Sequence, residues 1–396
     1  MIKGVAVTGM GIISAIGNNT AANYNSLISG QHGISTAEVL ETIHKNLPVG
    51  EIKISNQNLA KKLNLPENHS YTRAALLGGL AVKEAISQAN LKVDGETGFI
   101  SGTSVGGMDA TETYFKDFSE GNIEHNRFIR AQHPGFTTEK IAEYFEVNGF
   151  VSTISTACSS GANAIMLGAR MIKTGKLKRV IVGGTDCLTK FTLNGFNSLM
   201  ILSNEQCKPF DENRKGLNLG EGAAYLVLEA EEEINGKPVL GRILGYGNAN
   251  DAFHQTASSE NGEGAFLAMQ KALKIAGISA EKIDYINAHG TATKNNDKAE
   301  SAALERIFSN KLPDFSSTKA FTGHTLAAAG ALEAVYSLVA IQNEQVFPNL
   351  NFSNPMLNSG FIPVTNLKEK PINYVLSNSF GFGGNCTSLI FSKNGE

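Results

Sequence analysis

Residues 151–173 read VSTISTACSSGANAIMLGARMIK. The opening stretch, 151–155, is short and β-rich, as a strand is. Over 162–173 the apolar residues recur at helical spacing, and Gly175 stands where a glycine closes a helix. The chain therefore turns from strand to helix through Thr156-Ala157-Cys158-Ser159-Ser160-Gly161, with a cysteine at the junction. A thiol at that point meets the positive end of the helix dipole and unpaired backbone N–H groups, both of which favour thiolate over thiol. Cys158 is thus a candidate nucleophile, with a resting thiolate as the expectation.

The same alternation runs outward in both directions. Strands are predicted over 4–9, 97–101, 179–183, 223–228, 240–246 and 283–288, and a last hairpin pairs 374–377 with 388–391. Helices are predicted over 72–89, 138–145, 264–276, 299–308 and 326–342. Strands alternating with helices imply an α/β fold with helix-covered sheets. There is an internal echo as well. His324 opens a helix at a place comparable to that of Cys158, and GEGAAYLVL at 220–228 resembles GGNCTSLIF at 383–391. Two half-domains of like topology, 1–236 and 237–396, explain it, with the boundary in the polar turn 229–238. The helix after His324 is apolar all round and belongs between layers. Its one charge, Glu333, needs a buried partner, for which Lys319 or a histidine is at hand.

Composition narrows the function classes. The chain has 396 residues, 42% apolar and 18% charged, with a net charge of −3 and no block of like charges. That is an ordinary globular enzyme without the concentrated basic surface a nucleic-acid partner requires. The four cysteines (158, 187, 207 and 386) lack CxxC spacing, which speaks for free thiols in a reducing compartment and against a zinc cage. No signal-peptide layout and no run of about 18 apolar residues is seen, so the expectation is a cytoplasmic protein without a membrane span. The glycine-rich stretch 102–107 lacks the lysine of a phosphate-binding loop.

A cysteine that takes up an acyl group needs donors for the oxyanion and a group to activate a second substrate. The N–H of Cys158 and one from Ser379-Phe380-Gly381-Phe382-Gly383-Gly384 are candidate donors. His289, in NAHGTAT (287–293), and His324, in KAFTGHT (319–325), can hold an enolate, with Lys319 setting their orientation. Taken singly, each has a bland reading: an inert buried cysteine, a turn histidine, a surface lysine, a glycine bend. Their conjunction in this order describes carbon–carbon bond formation through an acyl-enzyme.

On TACSSGANAI, NAHGTAT, KAFTGHTLAAAGALE and NSFGFGGN, with a match running over nearly the full length, the chain resembles β-ketoacyl-[acyl-carrier-protein] synthases of the elongating Cys-His-His type. The resemblance implies the thiolase fold, two duplicated halves in five αβαβα layers, assembled as a homodimer or as a heterodimer with a chain-length-factor-like subunit. It implies an acyl carrier protein as partner and no metal, nucleotide or redox cofactor, the phosphopantetheine arm arriving as part of the substrate. It also implies roles. Cys158 carries the acyl chain; His289 and His324 bind the malonyl thioester; Lys319 and Glu333 support them. The N–H groups of Cys158 and Phe382 form the oxyanion hole. Phe382 gates the site and Phe380 stands beside it. Thr291 and Thr293 hold the phosphopantetheine arm, and Val105 lines the acyl pocket.

Two departures stand out. The stretch Pro66–Tyr71 lacks the basic cluster of housekeeping relatives, and Met200 stands where an arginine is frequent. Residues 194–199 and 207–211 are similar to synthases of the aryl-polyene and flexirubin pathways, which suggests a dedicated pigment or polyketide carrier. Two rivals are a coenzyme A-dependent thiolase, with Cys386 near its second acid–base cysteine, and a chain-length factor without turnover of its own.

Overall fold

The structure, a computed structural model, describes residues 4–309, 311–357 and 360–395. Ten strands form its main sheet: β1 (Val5–Ser14), β2 (Thr97–Gly102), β3 (Val151–Ile154), β4 (Arg179–Asp186), β5 (Gly222–Glu229), β6 (Gly241–Asn250), β7 (Tyr285–Asn287), β8 (Asp314–Ser316), β9 (Tyr374–Phe380) and β10 (Asn385–Ser392). Their order is β8-β7-β9-β10-β6-β1-β5-β4-β2-β3. Split between β1 and β6, both halves obey one rule. The first strand pairs antiparallel with the fifth, the fifth antiparallel with the fourth, the fourth parallel with the second, and the second parallel with the third. Only Val5–Val7 of β1, against Gly241–Ile243 of β6, joins the halves edge to edge.

Eight helices matter to the site: α1 (Arg73–Gln88), α2 (Met108–Ser119), α3 (Pro134–Tyr144), α4 (Ser160–Lys173), α5 (Lys190–Ser198), α6 (Glu263–Ala276), α7 (Lys294–Phe308) and α8 (Ala329–Asn343). α1 covers β1 and β5, and α6 covers the equivalent β6 and β10. Between the two half-sheets α4 packs on β4 and β2, α8 packs on β9 and β5, and the two helices pack on each other. Five layers result. The central pair can approach this closely because each contributes a glycine at the crossing. A Cβ on Gly161 would lie 2.8 Å from the Ala327 carbonyl, and one on Gly330 would lie 2.8 Å from the Ala162 Cβ. The echo read in the sequence is this duplication: α4 and α8 are equivalent helices, β5 and β10 equivalent strands.

Differences from expectation are mostly at the ends. α4 begins at Ser160, because the Ser160 hydroxyl accepts from Thr156 N–H (2.9 Å) and so folds back on the turn. α3 begins at Pro134, with His133 capping Gly135 N–H. The helix predicted from 326 opens as a 3₁₀ turn, Leu326–Ala328, with Leu326 at φ +52°. The helical run Leu326–Asn343 is long and apolar enough to cross a membrane, but 89% of it is buried within this fold, as a core helix is. α2 and α5 stand where no helix is predicted.

Candidate active site

The three reactive side chains line one cavity of about 760 Å³ together with Thr291, Thr293, Phe380 and Phe382. The duplication explains why: Cys158 and His324 precede the two equivalent central helices, and the ends of β7 and β9 deliver His289 and Phe380 from the second half of the sheet.

Cys158 sits on a sharp elbow. Ala157 is held at φ +53°, a left-handed conformation that costs an L-residue about 1–2 kcal/mol. The same strain recurs at Ala292, between the two threonines, and at Leu326, two residues after His324. Tight turns thus carry all three segments of the site. Burial pushes the Cys158 thiol up to about 11; the Phe382 N–H and the Lys319 ammonium pull it down, and the Asp186 carboxylate pushes it further up. This corrects the expectation of a resting thiolate. Cys158 is 5% exposed and α4 starts two residues later, so lost hydration outweighs the helix end.

His289 is fixed from three sides. Its N–H and that of Gly290 donate to the two oxygens of Glu300 on α7, at 2.9 and 2.8 Å. The Lys319 ammonium donates to its carbonyl (2.5 Å) and faces its Nδ1 (3.2 Å). Lys319 also pairs with Glu333, which answers the partner question raised for that buried carboxylate. All three N–H donors of Lys319 thereby have acceptors. With Nδ1 turned to the ammonium, the ring proton belongs on Nε2, and the ring hydrogen-bonds the Phe380 carbonyl. Burial lifts Glu333 to about 7 and Glu300 to about 6, against the pull of Lys319 and of backbone N–H groups respectively.

The His324 ring stands at 86° to that of His289, with centroids 5.3 Å apart. Its backbone is clamped to the 218–220 strand segment, N–H to Asn218 O at 2.7 Å and carbonyl from Gly220 N–H at 2.9 Å. Its Nδ1 is buried without a partner among the described residues. Burial, then Lys319, and for His289 then His324 as well, hold both imidazoles well below the usual histidine range. Both are neutral at physiological pH and carry one N–H each, that of His289 being shared with the Phe380 carbonyl.

Thr291 and Thr293 line the same cavity, hydroxyls 3.0 Å apart, with Thr293 also capping α7. Phe382 stacks on Phe196 of α5 at 5.7 Å and 18°. Phe380 packs edge-on against His289 at 5.6 Å. Val105 is not among the residues lining this cavity. It lies in the loop after β2, which the buried Asp186 carboxylate ties down through Thr103 and Ser104. Cys386 does line the cavity, opposite Phe380 in the β9–β10 pair, and burial raises its thiol far above the usual range.

Sequence reasoning missed Glu300 and Asp186. Glu300 shares the buried face of α7 with Asp297, Ala303 and Leu304, and a carboxylate on an apolar face was the available signal. Asp186 ends the apolar strand β4 and accepts from Ala327 N–H at 2.9 Å, joining the loop after β2 to the turn before α8.

A thiol beside two backbone N–H donors, lining one cavity with two neutral imidazoles, defines an acyl-accepting, carbanion-holding site of a thiol-dependent condensing enzyme. The sequence pattern described as "Beta-ketoacyl synthase, N-terminal domain" matches residues 3–233, and "Beta-ketoacyl synthase, C-terminal domain" matches 240–353. The chain belongs to the β-ketoacyl synthase family. It is 32% identical to 3-oxoacyl-[acyl-carrier-protein] synthase 2 of Staphylococcus aureus, over 99% of this chain and 98% of that one. Among solved structures it is similar to the ishigamide ketosynthase/chain length factor, with TM-score 0.94 and 28% identity over the whole of both chains. It is also similar to a ketosynthase in complex with its chain length factor from Xenorhabdus doucetiae, with TM-score 0.83 and 31% identity over 98% of each.

Proposed function

We propose that this chain catalyses decarboxylative Claisen condensation of an acyl thioester with malonyl-[acyl-carrier-protein], giving a β-ketoacyl carrier two carbons longer. The observation that carries it is the assembly of Cys158, His289 and His324 around one cavity, with Lys319 behind the histidine pair. First, Cys158 Sγ attacks the acyl thioester; the carrier sulfur leaves with the thiol proton. The N–H groups of Cys158 and Phe382 receive the oxyanion. Malonyl carrier then binds along Thr291 and Thr293, and its carbonyl accepts from His289 and His324. Loss of CO2 leaves an enolate held by those two N–H donors, neutral imidazoles being donors that do not quench it by proton transfer. The enolate carbon attacks the acyl-Cys158 carbonyl, and the thiolate that leaves takes up one proton.

In this reading the reaction draws on no metal, nucleotide or redox group, and the phosphopantetheine arm is brought by the carrier. The compartment is cytoplasmic. The partners are an acyl carrier protein and a second copy of the chain or a chain-length-factor-like subunit. The chain length factors named with the two similar structures support the second pairing, and with it a polyketide or pigment carrier. Turnover with each carrier protein of the organism tests this: equal or better rates with the fatty-acid carrier remove the pigment assignment.

The test of the core reading is intact-protein mass spectrometry after incubation with acyl carrier, together with CO2 release from malonyl carrier. An acyl adduct on Cys158 and CO2 release are expected. A chain-length factor gives neither, and a coenzyme A-dependent thiolase gives the adduct without CO2.

A further inference from the structure

The two oxyanion donors come from different halves of the molecule. Cys158 N–H belongs to the elbow before α4; Phe382 N–H belongs to the loop Gly381–Gly384 between β9 and β10. Something has to hold the two in register across the joint. The loop rests directly on the elbow: a Cβ on Gly381 would fall 2.7 Å from Thr156 O and 3.2 Å from Cys158 N. Its two ends are closed by Gly381 N–H donating to Asn385 O at 2.8 Å.

The Asn385 side chain is the hub between the halves. Its Oδ1 lies within hydrogen-bond reach of Ser159 Oγ (2.8 Å), Asn163 Nδ2 (2.8 Å) and Asn248 Nδ2 (2.9 Å). Asn163 Nδ2 spends its other proton on Thr156 Oγ1 (2.9 Å), beside the nucleophile. Asn248 Nδ2 gives its second to Thr387 Oγ1 (2.9 Å), whose own proton goes to Asn163 Oδ1 (2.8 Å). Donors from the elbow, α4 and β6 thus converge on one carbonyl oxygen at the end of the gating loop. Asn163 is buried, so losing that acceptor strands one of its amide protons in a low-dielectric joint, and the Ser159 hydroxyl falls back on Thr156 O at 2.8 Å, so the tie from the elbow to the loop is lost.

We propose that Asn385 is a positioning residue for acyl transfer, its amide oxygen fixing the Phe382 N–H against the Cys158 N–H through Ser159, Asn163 and Asn248. It touches no substrate. The step it serves forms the bond from Cys158 Sγ to the acyl carbon and breaks the bond from that carbon to the carrier sulfur, which leaves with the thiol proton. The inference rests on the condensing-enzyme reading above.

The experiment compares Asn385→Leu in two backgrounds. In the otherwise unchanged chain, single-turnover self-acylation from acyl carrier is expected to fall on the order of 10²-fold, with KM for the carrier unaltered. In the Cys158→Gln background, malonyl decarboxylation depends on the histidines and not on the oxyanion hole, so the same substitution is expected to cost it less than about threefold. Acylation within about threefold of the parent overturns the proposal, and so does a proportional fall of both rates. If the parent itself takes up no acyl group, the condensing-enzyme reading fails instead. Should Asn385→Leu not fold, Asn248→Ala removes one donor from a half-buried site. A drop of several-fold in the ratio of acylation to decarboxylation is expected there, and an unchanged ratio overturns the proposal equally.

Discussion

At the scale of single residues, Cys158 shows how burial and hydrogen bonding compete. Desolvation holds the thiol near 11, so the thiolate fraction grows about tenfold for each pH unit below that value. Alkylation of Cys158 by iodoacetamide, followed by mass spectrometry, should therefore keep rising from pH 7 to pH 10. A plateau near pH 7 or 8 would falsify the burial argument. The histidines carry the opposite sign. Their charged forms exist only well below the usual histidine range, so malonyl decarboxylation by Cys158→Gln should be flat between about pH 6 and 8. An inflection near 6.5 would mean that one of them titrates freely. His324→Ala removes one of two enolate donors and should slow decarboxylation by about 10²-fold or more while acyl transfer to Cys158 changes far less. Wild-type condensation by that variant would remove the assigned role. These residues were legible in the sequence because each sits in a short glycine-flanked motif whose flanks demand a turn. Ala157, Glu300 and Asn385 were not, since their importance lies in a dihedral angle, in backbone N–H groups that the helix face of Glu300 meets only after folding, or, for Asn385, in partners over a hundred residues away.

At the scale of elements, the turn that opens with Lys319 is tied to α8 through Glu333, a buried ion pair that also serves His289. Breaking one side leaves a buried charge. Lys319→Met should cost about 3–5 kcal/mol in denaturant unfolding. Adding Glu333→Leu should restore most of that loss, because two apolar side chains need no compensation. Activity should stay low in both variants, since the Nδ1 partner of His289 is gone. Recovery of activity along with stability would show that the pair is structural alone. The nearly all-apolar run of α8, broken by one charge, predicts its burial, and periodicity predicts α4. The helices that the sequence concealed, α2 and α5, lean on neighbours for their order: Glu112 of α2 accepts from the Lys190 and Phe191 N–H groups at 2.9 Å each and so caps α5.

At the scale of the whole molecule, the sheet ends at β3 on one side, with Phe150 41% and Val151 37% exposed beside an edge that no other strand among the described residues covers. Such an edge invites pairing with another chain. Sedimentation velocity should give twice the chain mass, or a stoichiometric pair with a related subunit. Phe150→Lys with Val151→Lys should shift the species toward monomer, and an unshifted dimer would place the interface elsewhere. The sequence alone determined the alternation of strands and helices, the repeated half, the nucleophile and the two histidines, because period, turn chemistry and motif flanks are local properties. Only the folded chain decided that the thiol rests protonated, that Val105 stays out of the cavity, and that Asn385 bridges the halves. Hydration, cavity walls and hydrogen bonds across the joint exist once distant segments have packed together, and no stretch of sequence carries them by itself.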